Sequence, residues 1–290
     1  MPKLNVLLSD LRMPESPRWH EGRLWFCNWT DRQVMAVDQN GAAEVIVTEA
    51  TAPQRPMGYS IDWLPDGRLL ITGDKLRRRE HDGSVATVAE QSANEIVVDG
   101  RGSIYINGAD FGMRAVREDR PLSSNPPGSI KLITPDGQLR QVADDIQFPN
   151  GMVITPDNRS LIISESFAAR LTAFDIDDKG GLSNRRVFAE GIAPDGICLD
   201  ADGAVWTSAG ISSVARVAEG GEILDRVELP ENRAQPGLML GGSDGRTLFI
   251  STWEWRAADG AADNLHRLAT GPRTGEILTL AVSVPGAGWP

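Results

Sequence analysis

Short apolar runs separated by polar turns recur along the whole chain, and the recurrence is regular enough to align. An apolar strand, a polar turn and a second apolar strand appear at residues 15–27 (ESPRWHEGRLWFC), 59–73 (YSIDWLPDGRLLITG) and 94–108 (NEIVVDGRGSIYING). The same pattern returns at residues 150–164 (NGMVITPDNRSLIIS), 195–208 (DGICLDADGAVWTS) and 237–251 (GLMLGGSDGRTLFIS). The turns carry Pro-Asp-Gly, Asp-Gly or Asp-Asn, residues that tolerate the backbone angles of tight hairpins. Each flank alternates or runs apolar over strand length. A second, weaker hairpin follows each copy, at residues 32–47, 76–89, 129–143, 170–189, 213–229 and 275–284. No stretch shows the three-and-four spacing that would predict a helix.

Two hairpins per unit give four strands, and six units in 290 residues leave about 48 residues each, the size of a propeller blade. The expected fold is therefore all-β: a six-bladed β-propeller with four antiparallel strands per blade, in preference to a two-sheet sandwich. The last unit has room for only one strand after Gly275, so residues 4–9 are expected to pair with residues 277–282 and complete the last blade. Residues 107–128 form the longest irregular segment and read as a lid or binding loop. A second insertion, residues 253–273, lies in the last blade. Neither has the character of a linker, so residues 1–290 are expected to form a single domain.

Composition narrows the function. Hydrophobic residues make up 41% of the chain, too many for a disordered one. Asp plus Glu number 40 against 29 Lys plus Arg, a net charge of −11. Such a surface repels phosphate backbones, so neither nucleic acid nor membrane is an expected partner, and a monomer or small homo-oligomer is. No apolar run approaches the roughly 18 residues of a membrane helix. The N-terminus is too polar for a secretory signal. Cys27 and Cys198 match no metal spacing and are expected to be free, buried thiols of a cytoplasmic protein.

Aligning the repeats by their turns brings one position of each first strand into register: Glu15, Tyr59, Asn94, Asn150, Asp195 and Gly237. First strands line the channel of a propeller, so these six form an expected ring at one mouth. Four of the six are Asp, Glu or Asn. Two carboxylates close together repel unless a cation lies between them. The donors are all oxygen, which suits hard cations. Ca²⁺ is the first choice, with Mg²⁺, Mn²⁺ and Zn²⁺ as alternatives.

With these residues in view, the chain resembles the SMP-30/gluconolactonase/luciferin-regenerating-enzyme (regucalcin-like) family of six-bladed propellers. The resemblance rests on Glu15-Ser16-Pro17-Arg18-Trp19, Asn94, Phe148-Pro149-Asn150-Gly151, Pro194-Asp195-Gly196 and the run from Leu240 to Leu248. It implies a metal held by Glu15, Asn150 and Asp195, with Asn94 on the substrate side. It also implies a metal-dependent lactonase, a hydrolase of lactones or related esters. Tyr59 and Asp110 are further candidates for contact with substrate. The family's pattern has an Arg two residues before the third-blade Asn, where this chain has Ser92, so a lactone less polar than a sugar lactone is expected. In the implied mechanism the cation polarises the carbonyl while Asp195, or Glu15 in second place, takes the proton of the attacking water. Two alternatives stand beside it: a non-catalytic metal-binding or regulatory propeller, and an esterase or phosphotriesterase-type hydrolase on the same scaffold.

Other chemistry is thin. His20, His81 and His266 are isolated in the sequence. The one Gly-x-Ser-x-Gly match, residues 241–245 (GGSDG), falls on a predicted hairpin turn rather than on a strand-to-helix elbow, and no glycine-rich phosphate loop or dinucleotide fingerprint is present.

Overall fold

The turns that align the six repeats share one backbone state. Gly22, Gly67, Gly102, Asn158, Gly203 and Gly245 all adopt positive φ, from 58° at Asn158 to 84° at Gly102. That conformation explains why the position carries Gly or Asn in every copy. The computed structural model describes residues 3–48, 59–109 and 121–288. Six four-stranded antiparallel sheets account for nearly all the regular structure, and the chain is an all-β, six-bladed β-propeller.

The described residues fall into two compact units, one from residues 3–48 and 195–288, the other from residues 59–109 and 121–194. In the first unit, β1 (Asn5–Leu11) precedes a sheet of β2 (Pro14–His20), β3 (Arg23–Asn28), β4 (Gln33–Val37) and β5 (Ala43–Thr48). The second unit opens with β6 (Ile61–Trp63), β7 (Leu69–Ile71), β8 (Leu76–Arg79) and β9 (Val85–Ala89). Its next sheet is β10 (Glu95–Val98), β11 (Ile104–Ala109), β12 (Gly128–Ile133) and β13 (Leu139–Ile146). Its third is β14 (Pro149–Ile154), β15 (Ser160–Glu165), β16 (Arg170–Ile176) and β17 (Leu182–Glu190). The first unit then resumes with β18 (Cys198–Leu199), β19 (Val205–Ser208), β20 (Ser213–Val217) and β21 (Ile223–Glu228). It ends with β22 (Arg233–Gly241), β23 (Thr247–Glu254) and β24 (Gly275–Ala281), joined by β1 in the order β1-β24-β23-β22. Asn5 pairs with Thr279, Leu8 with Ile277 and Leu11 with Gly275, so the first strand of the chain completes the last sheet, as expected.

Each unit has its own core, built from the alternate positions that strands turn inward. In the first, Leu24, Phe26, Trp206, Leu238, Phe249 and Leu278 belong to one buried cluster. In the second, Tyr105, Ile130, Leu161 and Phe174 pack in one cluster and Leu70, Ile96 and Ile106 in another. Cys27 and Cys198 are buried thiols outside any disulfide, and burial pushes the Cys198 thiol pKa well above its ordinary range.

One expectation fails. The last-blade insertion holds a helix, α1 (Ala261–Thr270), where the apolar spacing predicted none. Only Asn264 and Leu268 of this helix are buried. The Asn264 amide donates to the carbonyls of Arg256 (2.9 Å) and Asp259 (2.8 Å) and its Oδ1 accepts the Arg256 N–H. Leu268 packs with Met13 and Trp253. Its apolar stripe is short: Ala261, Leu265 and Leu268 share one face, and of these only Leu268 is buried. Among the described residues no helix is long and apolar enough to cross a membrane.

Candidate functional site

In the first unit, Glu15 is the second residue of β2 and half-buried, opposite Cys27. The corner leading into it is pinned from β3. Asn28, fully buried, accepts the N–H groups of Arg12 and Met13 at 3.1 Å each, and its amide donates to Asp31 at 2.9 Å. Asp31 in turn holds Arg12 at 3.1 Å and Arg273 at 2.8 Å. Backbone donors that would be orphaned at the bend are thereby satisfied.

Asp195, also half-buried, leads into Gly196, whose N–H donates to the Pro236 carbonyl at 2.8 Å. Two glycines make this approach possible. A Cβ on Gly196 would collide with the Pro236 carbonyl oxygen, and one on Gly237 with the Pro17 ring. The segments carrying Asp195 and Glu15 therefore both abut the middle of β22, at Pro236-Gly237.

In the second unit, Asn94 and Asn150 come together. The Asn94 amide lies 3.3 Å from the Pro149 carbonyl and 3.5 Å from Asn150 Oδ1. The Asn150 amide reaches Ser166 Oγ at 3.4 Å. The Ser166 hydroxyl donates to the Pro194 carbonyl at 2.8 Å, and Pro194 is the residue bonded to Asp195. Beneath this pair, Asn107 is 3% exposed; its side-chain amide donates to the Asn150 main-chain carbonyl at 2.6 Å and its main-chain carbonyl accepts the Asn94 N–H at 2.7 Å.

Behind Asn150, the Glu165 side chain is fully buried. It accepts the Gln147 N–H at 2.8 Å, the Thr172 hydroxyl, Arg170 at 2.9 Å and Arg185 at 3.0 Å. Burial pushes its pKa up, but the Arg170 hydrogen bond, the Gln147 N–H and the Thr172 hydroxyl outweigh it and hold the carboxyl below its ordinary range. Glu165 thus does for the corner before Asn150 what Asn28 does for the corner before Glu15.

Tyr59 is 7% exposed, just ahead of β6. Asp110 lies outside the described residues, as does half of the 107–128 segment. Among the described residues, no three His, Cys, Asp or Glu side chains form a metal-binding group; the donors singled out from the repeat are two carboxylates and two amides. Asn107, Ser166 and Glu165 escaped the sequence reading. One signal was available for the site itself: a proline immediately precedes Glu15, Asn150, Asp195 and Gly237, fixing the backbone before each.

Residues 13–254 match the family model described as the SMP-30/Gluconolactonase/LRE-like region, a span that includes Glu15, Asn94, Asn150 and Asp195. Regucalcin of Xenopus laevis is 27% identical, over 96% of this chain and 94% of that protein. Gluconolactonase of Zymomonas mobilis is 28% identical, over 86% of this chain and 78% of that protein. Among solved structures, a calcium-binding protein, regucalcin, from Agrobacterium tumefaciens superposes with a TM-score of 0.76 at 21% identity, covering 98% of this chain and 95% of that one.

Proposed function

Because the chain belongs to the SMP-30/gluconolactonase/LRE-like family, we propose that it is a lactonase whose Glu15, Asn150 and Asp195 hold one divalent cation, with Asn94 on the substrate side. The observation that carries this reading is the meeting of Asn94 and Asn150 at 3.5 Å within a matched region that contains every donor the repeat singles out. The donor set fits a hard cation: all oxygen, half-buried rather than sealed, and backed by buried hydrogen-bonding side chains. Ca²⁺ heads the candidates, followed by Mg²⁺, Mn²⁺ and Zn²⁺.

When bound, the cation would supply Lewis-acid stabilisation of the charge that develops on a carbonyl oxygen. The chain's own residues do the rest. Asn94 orients the lactone through its amide. Asp195 takes a proton from the attacking water at a carboxylate oxygen, with Glu15 in reserve. Water adds to the acyl carbon, the ring C–O bond breaks, and the leaving oxygen receives the proton held on Asp195, giving a hydroxy acid. Ser92, standing where the family's pattern has Arg, offers no guanidinium to polar substrate oxygens, which favours a less polar lactone.

Asp195→Ala is the direct test. Cation binding and lactone hydrolysis are expected to disappear together, and turnover retained in this variant contradicts the scheme. A second reading, a cation-binding propeller without catalysis, draws on the description of the Agrobacterium structure as a calcium-binding protein. Bound cation with no turnover across lactone, ester and phosphotriester panels selects it.

A further inference from the structure

Two aromatic rings stand beside the polar pair of the second unit. Phe148 and Phe167 are stacked, with centroids 4.2 Å apart and planes 15° from parallel, and both are half-buried. Phe148 lies two residues before Asn150. Phe167 directly follows Ser166, whose Oγ is 3.4 Å from the Asn150 amide. The backbone fixes the two on adjoining turns: Ser166 N–H donates to the Phe148 carbonyl at 3.2 Å and Phe167 N–H to the Gln147 carbonyl at 3.1 Å. The turn at Leu122–Ser124 packs beside the one at Ser166–Ala168, and Leu122 is 42% exposed.

Phe148 has φ of 57°, a region that glycine occupies freely and bulky side chains seldom do. Backbone strain of this kind gathers where a ligand is held. A phenyl ring is therefore kept at a position whose backbone favours glycine, stacked on a second ring and next to the hydrogen-bonding groups of the candidate site. Aromatic faces present large apolar area at little cost in side-chain freedom.

We infer that Phe148 and Phe167 form the wall against which the apolar part of the substrate lies, so that the substrate class is a lactone carrying an alkyl or aryl substituent. This rests on the lactonase reading and extends it: the ring carbonyl lies among the polar groups, and the substituent runs over the stacked pair.

The test uses δ-lactams with alkyl substituents of increasing length as non-hydrolysed mimics, titrated calorimetrically into the cation-loaded protein. Hydrolysis of the matching δ-lactones is followed in parallel. Wild-type affinity for the lactams is expected to rise about threefold per methylene over the first few carbons. In Phe167→Ala and in Phe148→Gly, a replacement that suits the backbone at that position, the slope is expected to flatten, with a loss of about tenfold or more at a butyl chain. Thermal midpoint and bound cation report that the fold is kept. A flat slope in the wild type, or an unchanged slope in both variants, overturns the inference. A wild-type slope that both variants flatten, with no lactone hydrolysed, upholds the apolar wall and removes the lactonase reading instead.

Discussion

The side-chain amide of Asn107 donates to the main-chain carbonyl of Asn150 across 2.6 Å, while the main-chain carbonyl of Asn107 accepts the N–H of Asn94 at 2.7 Å. One buried residue of β11 therefore sets the spacing between the two amide side chains of the candidate site. Asn107→Ala removes the side-chain half of this clamp and leaves a buried carbonyl without its donor. The expected result is a fall of about tenfold in cation affinity, the equivalent of one hydrogen bond, with a thermal midpoint a few degrees lower. Calorimetric titration with Ca²⁺ checks it, and unchanged affinity in a folded variant contradicts it.

Glu165 predicts an acid limit. Its carboxyl is held below the ordinary range, so the charged form is favoured by folding. The stability it contributes is fully present above about pH 5 and is lost as pH falls through the depressed native pKa. Glu165→Gln is expected to cost about 2 kcal/mol near neutrality, since hydrogen bonds to a charged group are replaced by neutral ones. The gap to wild type should shrink toward pH 3. Urea unfolding across this range reads it directly; a gap independent of pH would show that the charge contributes nothing.

Gly237→Ala tests the close approach at the middle of β22. Its Cβ would strike Pro17, two residues after Glu15 in the chain, and both segments must shift. A loss of about 1–3 kcal/mol is expected, as for overpacking elsewhere, together with weakened cation binding because Glu15 moves with Pro17. Wild-type stability in the variant would mean that the two segments are not in tight contact.

The first strand offers a test of the fold. Deleting residues 1–11 removes the partner of β24 and opens a strand edge beside Ile277 and Leu278, both buried. Aggregation, or a thermal midpoint lower by ten degrees or more, is expected of such an unprotected apolar edge. A monomeric variant with unchanged midpoint would show that β1 is dispensable.

The architecture was legible because it is written in local signals repeated six times. Gly102 and Asn158 sit at equivalent turns because each turn demands the same positive φ, and the alternation beside them marks the strands. Register alone is what singled out Glu15 and Asp195 as candidates. Asn107 was not, because a polar residue within the apolar run IYING carries no sign of what it will meet; its partner Asn150 lies 43 residues away. Glu165 was hidden in the same way, since Arg170 and Arg185 reach it across three strands of one sheet. The helix α1 was missed because its apolar stripe is only Ala261, Leu265 and Leu268, too short to stand out from the polar insertion around it.

The most direct measurement is the metal content of the purified protein before and after a chelator, with acid release from a panel of lactones followed on the same samples. One equivalent of divalent cation is predicted, with lactone hydrolysis that disappears on chelation and returns when the cation is restored. Protein free of metal that neither binds a divalent cation on titration nor hydrolyses any lactone would contradict the account.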